Sequence, residues 1–364
     1  MVRRPGIFET GAGEHPRRSR LLWAPESMRA VALLPDELSV EQVAARILCH
    51  DVVAAGPEGR VKLRKGQILT AADVPALRSY GGEIHLIEME TGDVHEDEAS
   101  MRLAHAICGQ GTRLSGPVES QTHLRAAYRG LVQVKPDTLE AMNRLPDVSV
   151  FTVYDGQPVD EGKAVAATKV TPLAISGDVL RQAEEIAAGA TPIVQVHSFL
   201  GRAVGVIVRE RIAGAARDRF EAAIHRKLAW FGSPVLAIQY LPDDAESIAG
   251  ALRDLIGAEP ALILAAGVNS TDPLDLTLQA LERVGASTER RGVPAHPGST
   301  CWLAYAGEIP IFGLALCGMF SETTVLDLLL PRFLSGRSVR AGDIASFGHG
   351  GLLGKDMGFR FPEY

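Results

Sequence analysis

The chain has 364 residues, of which 46% are hydrophobic and 22% charged, with a formal net charge of −7 and an isoelectric point near 5.8. That length calls for two or three domains with a substantial core, and the acidic balance excludes a general nucleic-acid binder, which needs a basic surface. No apolar run approaches the ~18 residues of a membrane span. Cys49, Cys108, Cys301 and Cys317 are too scattered for a zinc or disulfide motif, as expected in the reducing cytoplasm.

In chain order, residues 1–27 are rich in Arg, Gly, Pro and Glu and lack apolar periodicity, which predicts a disordered tail and leaves Met28 as an alternative start. Glu9, Glu14 and Glu26 argue against a targeting peptide. Residues 28–200 read as a mixed α+β domain. Ser39 with Gln42, and Thr70 with Asp73, make capping boxes ahead of short helices, the second closed by Gly81 and Gly82. Strand-like runs at 61–63, 84–89, 131–134, 148–153 and 165–170 are separated by Gly, Pro and Asp turns. The acidic run from Asp93 to Glu98, with His95 inside it and His105 beyond, invites a metal or acid–base reading. The stronger reading is a helix start. Acidic residues there oppose the positive dipole end, and ten residues at about 100° each put the two histidines on poorly matching faces. Lys169 and Lys355 are candidates to meet a phosphate, but lone lysines are usually surface residues.

From 201 to 336 the pattern changes. Residues 204–208 form a β-branched strand, and Phe220, Ile224, Leu228 and Phe231 mark a helix over 215–231 ended by Gly232. A second strand follows at 235–238. Asp243 or Asp244 caps a helix running to about Ile256, and the third strand spans 261–265. This βαβαβ alternation predicts a doubly wound parallel sheet in a three-layer α/β/α domain. Residues 301–304 and 309–312 flank Tyr-Ala-Gly-Glu as an added hairpin. His225 on the first of these helices reads as a surface residue.

Residues 262–275 carry the most chemistry: an apolar strand ends in Ala-Gly and gives way to small, hydroxylic and acidic residues. Ligands of α/β sheets sit at such carboxyl ends. Gly267 permits close backbone approach, Asn269, Ser270 and Thr271 offer donors to an anion, and Asp272 and Asp275 can hold a hard cation. Together they point to a phosphorylated small molecule. The plainer alternative is a helix cap, with Asp275 starting a helix near Leu276.

These residues resemble the molybdopterin-binding domain shared by molybdenum cofactor biosynthesis proteins and competence-damage-inducible proteins. Ala266, Gly267, Ser270, Thr271 and Asp275 stand where that family has Gly-Gly, a hydroxylic loop and an Asp. Pro297-Gly298-Ser299-Thr300 precedes the hairpin, and Phe312-Gly313-Leu314-Ala315-Leu316-Cys317-Gly318 follows as its Phe-Gly-Leu-Pro-Gly-Asn-Pro turn does. The upstream stretches Lys65 to Leu69 with Asp73, Gly92 to Ala99 and Val165 to Lys169, and the tail Gly348-His349-Gly350-Gly351-Leu352, are similar to stand-alone molybdopterin-binding proteins and to the same module fused to a nucleotidyltransferase-like domain. The tail, part of a Gly-rich extension over 337–364, reads either as a phosphate-embracing loop or as a flexible end with turns.

The resemblance implies that molybdopterin or its adenylylated form is bound by Gly267, Asn269, Ser270, Thr271, Asp272, Asp275, Gly298, Ser299, Gly313, Cys317 and Gly318. Asp243 and Asp275 are the candidate Mg²⁺ ligands. It implies a role in cofactor biosynthesis or delivery, with a nucleotidyltransferase or a molybdoenzyme as partner and a homo-oligomeric state. The alternatives are a molybdenum transferase, or a nucleotide pyrophosphatase like the competence-damage-inducible proteins. Two departures favour binding over catalysis: Ala315-Leu316-Cys317 replaces Pro-Gly-Asn, and Arg209-Glu210-Arg211 replaces an acidic Thr-Gly-Asp-Glu segment. Too little sequence follows Gly336 for the C-terminal barrel of the transferases. Enzymatic status stays open.

Overall fold

A computed structural model describes residues 28–56, 59–209, 212–314 and 323–364. The expected tail at 1–27, the Glu210 and Arg211 departures, and Ala315 to Gly318 lie outside the described residues.

The mixed α+β part is built around two main hydrophobic cores, with a smaller cluster of Met28, Ile47, Ile87, Leu173 and Ala174 besides. In the first, strand Met28–Leu33 pairs antiparallel with Ile84–Met89, which also takes Ile47–Leu48 on its other edge. Leu33, Leu38, Leu48, Leu77 and Leu86 fill it. Both expected capping boxes form: Ser39 accepts from Gln42 N while Gln42 reaches back to Ser39 N, and Asp73 accepts from Thr70 N at 2.7 Å. In the second core, helices Glu96–Ile107 and Gly177–Ala188 pack with an antiparallel sheet whose strands run Val148–Thr152, Ala164–Val170, Gln121–Ala126 and Thr112–Val118 across. Strand Val194–Ser198 pairs back onto Gly130–Val134 in this part before the chain passes into the next domain.

The remaining domain is a six-stranded sheet. Across it the order is Val235–Tyr240, Val204–Val208, Leu262–Ala266, Ile309–Leu314, Trp302–Ala306 and Ser287–Arg291. The first four strands are parallel; the last two are antiparallel additions. Strands buried on both faces must be apolar throughout, and every residue of Val204–Val208 and Leu262–Ala266 is buried. Helices Ala215–Trp230 and Val325–Leu334 cover one face with Phe220, Ile224, Leu228, Leu329 and Phe333. Helices Ala245–Gly257 and Leu276–Arg283 cover the other with Ile248, Leu252, Leu255 and Leu281. The result is the three-layer α/β/α arrangement.

Strand order decides where the crevice falls. The Val204–Val208 strand lies between the domain's second and third strands in sequence, so the chain goes first to one side of it and then crosses back to the other. The switch point is therefore at the carboxyl ends of Val204–Val208 and Leu262–Ala266, where helices diverge to opposite faces.

Candidate ligand site at the strand ends

At that switch point the two central strands end together, Val208 opposite Ala266, and Arg209 N donates to Ala266 O at 3.0 Å. The third strand then turns at Gly267, whose φ of +81° is in the left-handed region that favours glycine. The freed Gly267 carbonyl accepts from Arg209 Nε at 3.1 Å and from Nη2 at 3.0 Å. Sequence reasoning treats Arg209 only as part of a replaced acidic segment; in the structure it ties the first strand to the Gly267 turn. Its place directly after the first strand was the available signal.

Asp275 answers Arg209. Its carboxylate is paired with the guanidinium, the two side chains being 2% and 13% exposed. Oδ2 also accepts from Asn269 N at 3.1 Å, and Oδ1 accepts from Thr277 N at 2.8 Å, capping helix Leu276–Arg283. Both readings of Asp275 thus meet in one residue: it caps the helix, and it ties the loop to the first strand. Asp243 lies on the other side of the same guanidinium, 3.9 Å from Nε. The two expected magnesium ligands consequently flank an arginine, and among the described residues no cluster of three or more His, Cys, Asp or Glu side chains has the placement to hold a metal. A divalent ion between Asp243 and Asp275 requires Arg209 to withdraw.

Between these anchors the loop presents polar groups to solvent. Asn269, Thr271 and Asp272 are exposed and Ser270 is half-buried. Thr271 Oγ1 donates to Asn269 Oδ1 at 2.7 Å, and Asp272 Oδ1 accepts from Leu274 N at 2.9 Å. Ser270 Oγ donates to Thr300 O at 2.6 Å. That last bond brings the loop against the Pro297-Gly298-Ser299-Thr300 turn, so two segments thirty residues apart form one rim. Gly298 is buried with φ +116°, and a Cβ there would lie 2.7 Å from Val325 Cβ. Ser299 beside it is exposed.

Gly313 has a different role. It pairs with Ala265 and Trp302 inside the sheet, and a Cβ on it would fall on the Trp302 indole. It lets the ring lie flat against the strand one residue short of the strand end. Cys317 and Gly318 lie outside the described residues.

The other candidates stand elsewhere. His95 caps helix Glu96–Ile107, with Nδ1 accepting from Asp97 N at 3.2 Å and Nε2 donating to Gly66 O at 2.9 Å. Lys169 is on the Ala164–Val170 strand and Lys355 opens the turn Lys355–Arg360. The Gly-rich tail is ordered against the rim's own segment: His296 N donates to Gly351 O and Leu353 N to His296 O, both at 2.7 Å.

Comparison with known proteins gives two family matches. Residues 203–334 match the family described as a probable molybdopterin binding domain. That match spans the whole parallel sheet and its four helices, while residues 37–87 match a domain of unknown function. No curated protein matches the chain.

Three solved structures illustrate its likenesses. The protein CinA from Thermoplasma acidophilum is 14% identical over 36% of this chain and 96% of its own, with a TM-score of 0.29. The molybdopterin biosynthesis Mog protein from Mycobacterium ulcerans is 21% identical over 36% and 93%, with a TM-score of 0.28. The molybdopterin biosynthesis MoeA protein from Pyrococcus horikosii is 12% identical over 85% and 75%, with a TM-score of 0.29. Among the described residues no helix is long and apolar enough to cross a membrane.

Proposed function

We propose that the crevice between the Gly267–Asp275 loop and the Pro297–Thr300 turn binds molybdopterin, and that the chain serves molybdenum cofactor biosynthesis or delivery. The observation that carries this reading is the coincidence of the family match with the Ser270–Thr300 bond, which joins two polar segments at the switch point of the sheet. The exposed Ser299 hydroxyl suits a phosphate oxygen, while Arg209, paired with Asp275 and near Asp243, holds the loop to the first strand. The adenylylated form is the second candidate ligand. With Arg209 between Asp243 and Asp275, we read the site as one that binds and hands on cofactor to a nucleotidyltransferase or a molybdoenzyme rather than one that inserts molybdenum.

Full-length protein purified from cells that make the cofactor should carry a pterin, seen as fluorescence after oxidation and identified by mass. Gly267→Val strains the left-handed turn and fills the approach to it, so copurified pterin should fall at least about tenfold while the chain stays folded. Wild-type protein devoid of pterin, or unchanged loading of the variant, overturns the assignment. Losing a preorganised group costs about 10²–10³ in rate, so nucleotide release from adenylylated molybdopterin with magnesium and molybdate should lag a genuine transferase by that factor.

A further inference from the structure

A second concave site lies away from the strand ends, where helix Val325–Leu334, the segment 154–157 of the α+β part and the C-terminal residues 346–361 meet around a cleft of about 400 Å³. None of the residues 267–275 or 297–300 lines it. Its size is that of a small-molecule site.

Its floor is Arg332, whose side chain is only 12% exposed. Nη1 donates to Leu328 O at 2.7 Å, but the sole carboxylate bonded to it among the described residues, Asp155, is 3.4 Å from Nη2. Asp155 is shared, since its Oδ1 also accepts from Val134 N at 3.0 Å. The second carboxylate of the lining, Asp327, is neutralised by Lys227. Arg360 has no carboxylate partner among the described residues; its guanidinium lies 4.6 Å from the Tyr154 ring centre and donates weakly to Gly350 O at 3.4 Å. Arg337, in the next turn of chain, keeps a buried Nη1 without a hydrogen-bond partner. Asp343, from the short helix Ala341–Ala345, is the further negative charge near Arg332, and its Oδ2 is taken up by Arg340 N. Positive charge is thus in excess.

Two features of the lining bear on what the cleft can hold. Gly156 has φ +74°, and a Cβ there would fall on the Arg332 guanidinium, so only glycine lets this turn pack directly against Arg332. Aromatic rings supply the walls: Tyr154, Phe347 and Phe361. Burial pushes the Arg332 pKa down, with Arg337 and Arg360 adding to it and Asp155 opposing, as for a cation short of counter-charge.

We propose that this cleft binds a phosphomonoester carrying a planar ring, its phosphate on Arg332 and Arg360 and its ring against Tyr154 and Phe361. Guanidinium groups match phosphate oxygens in pairs, and ring stacking adds selectivity without further charge. This site goes beyond the strand-end reading and does not depend on it.

The test is calorimetry of the full chain with AMP, ribose 5-phosphate and inorganic phosphate as probes. Saturable AMP binding that weakens with salt is expected, at least about tenfold tighter than ribose 5-phosphate or inorganic phosphate. Arg360→Ala, on the half-buried rim, should weaken AMP about tenfold with an unchanged melting temperature, and Tyr154→Leu should weaken AMP but not inorganic phosphate. Gly267→Val should leave AMP binding intact, which separates this site from the strand-end crevice. No saturable AMP binding, equal affinity for the three probes, or loss in Gly267→Val but not in Arg360→Ala overturns the proposal.

Discussion

Arg209 and Asp275 show how one residue pair can set both the stability and the chemistry of a strand end. Asp275 is 2% exposed and carries three hydrogen bonds, so removing its cation strands a buried carboxylate. Breaking such a pair costs about 3–5 kcal/mol, while replacing both partners with neutral groups is far less costly. Arg209→Met should therefore lower the urea midpoint of this domain by an amount equal to about 3 kcal/mol, and Arg209→Met with Asp275→Asn should recover most of it. Trp230 and Trp302 lie in the domain and report its unfolding by fluorescence. Equal loss in the single and double variants would show that the pair is not coupled. Asp147 offers a pH-dependent counterpart in the α+β part. Burial raises its carboxyl above the ordinary range, and its φ of +64° is one that Asn accepts readily. A raised folded pKa means that the charged form is penalised in the native state, so stability improves as pH falls through that pKa. Asp147→Asn should accordingly raise the melting temperature slightly at pH 7, with the advantage shrinking as pH falls and gone below the ordinary carboxyl range. A constant difference from pH 7 to pH 3 would assign the gain to the turn alone.

Elements were legible in the sequence where burial imposed a pattern. Strand Val204–Val208 matches its expected bounds because both faces are covered and every residue had to be apolar. The same holds for the Asp244 and Asp275 caps, whose side chains accept from Ser247 N and Thr277 N as the capping rule requires. Strand Ser287–Arg291, Ser-Thr-Glu-Arg-Arg, was not legible. It lies at the sheet edge with mostly solvent around it, so nothing apolar marks it. Strands Thr112–Val118 and Gln121–Ala126 were missed for a related reason: the first is exposed along most of its length, and the second buries only alternate residues. The site was half legible. Its loop and turn could be read from residue type, but the closure of Ser270 onto Thr300 and the guanidinium beneath them depend on the sheet bringing distant segments together. Gly313 was expected at the ligand and instead accommodates Trp302 inside the sheet. Gly313→Ala places a Cβ on the Trp302 indole; overpacking of this kind costs about 1–3 kcal/mol, and the displaced indole should shift its emission. An unchanged spectrum and midpoint would mean that the strand yields without cost.

On the scale of the whole molecule, the C-terminal residues pack into the core of the six-stranded α/β domain. Residues 351–353 bond to His296, Phe347 and Leu353 join the main cluster, and the last residue, Tyr364, packs its ring against Phe231 and 4.3 Å from Lys227 Nζ. Beneath it Lys227 and Asp327 form a buried pair that also caps helix Val325–Leu334 through Thr324. One end of the chain therefore covers the charge that fixes the helix between the two proposed sites. Burial holds the Tyr364 phenol well above its ordinary value, with the negative charge of Asp327 adding to it. Tyr240, pushed up to about 12 by burial and then by Glu221, and Tyr305, raised by burial, act in the same direction. A phenol with a raised folded pKa keeps its proton in the native state after the unfolded chain has lost it, so stability falls as pH rises above the ordinary tyrosine value. The folded protein should lose stability steeply above pH about 10, each such tyrosine contributing up to about 1.4 kcal/mol per pH unit. Tyr364→Phe keeps the ring and removes one ionisation, so its unfolding midpoint, followed from pH 8 to pH 11, should decline less steeply than that of the wild type by one proton's slope. Parallel curves would show that Tyr364 ionises as easily folded as unfolded, and that the chain end does not seal the Lys227–Asp327 pair.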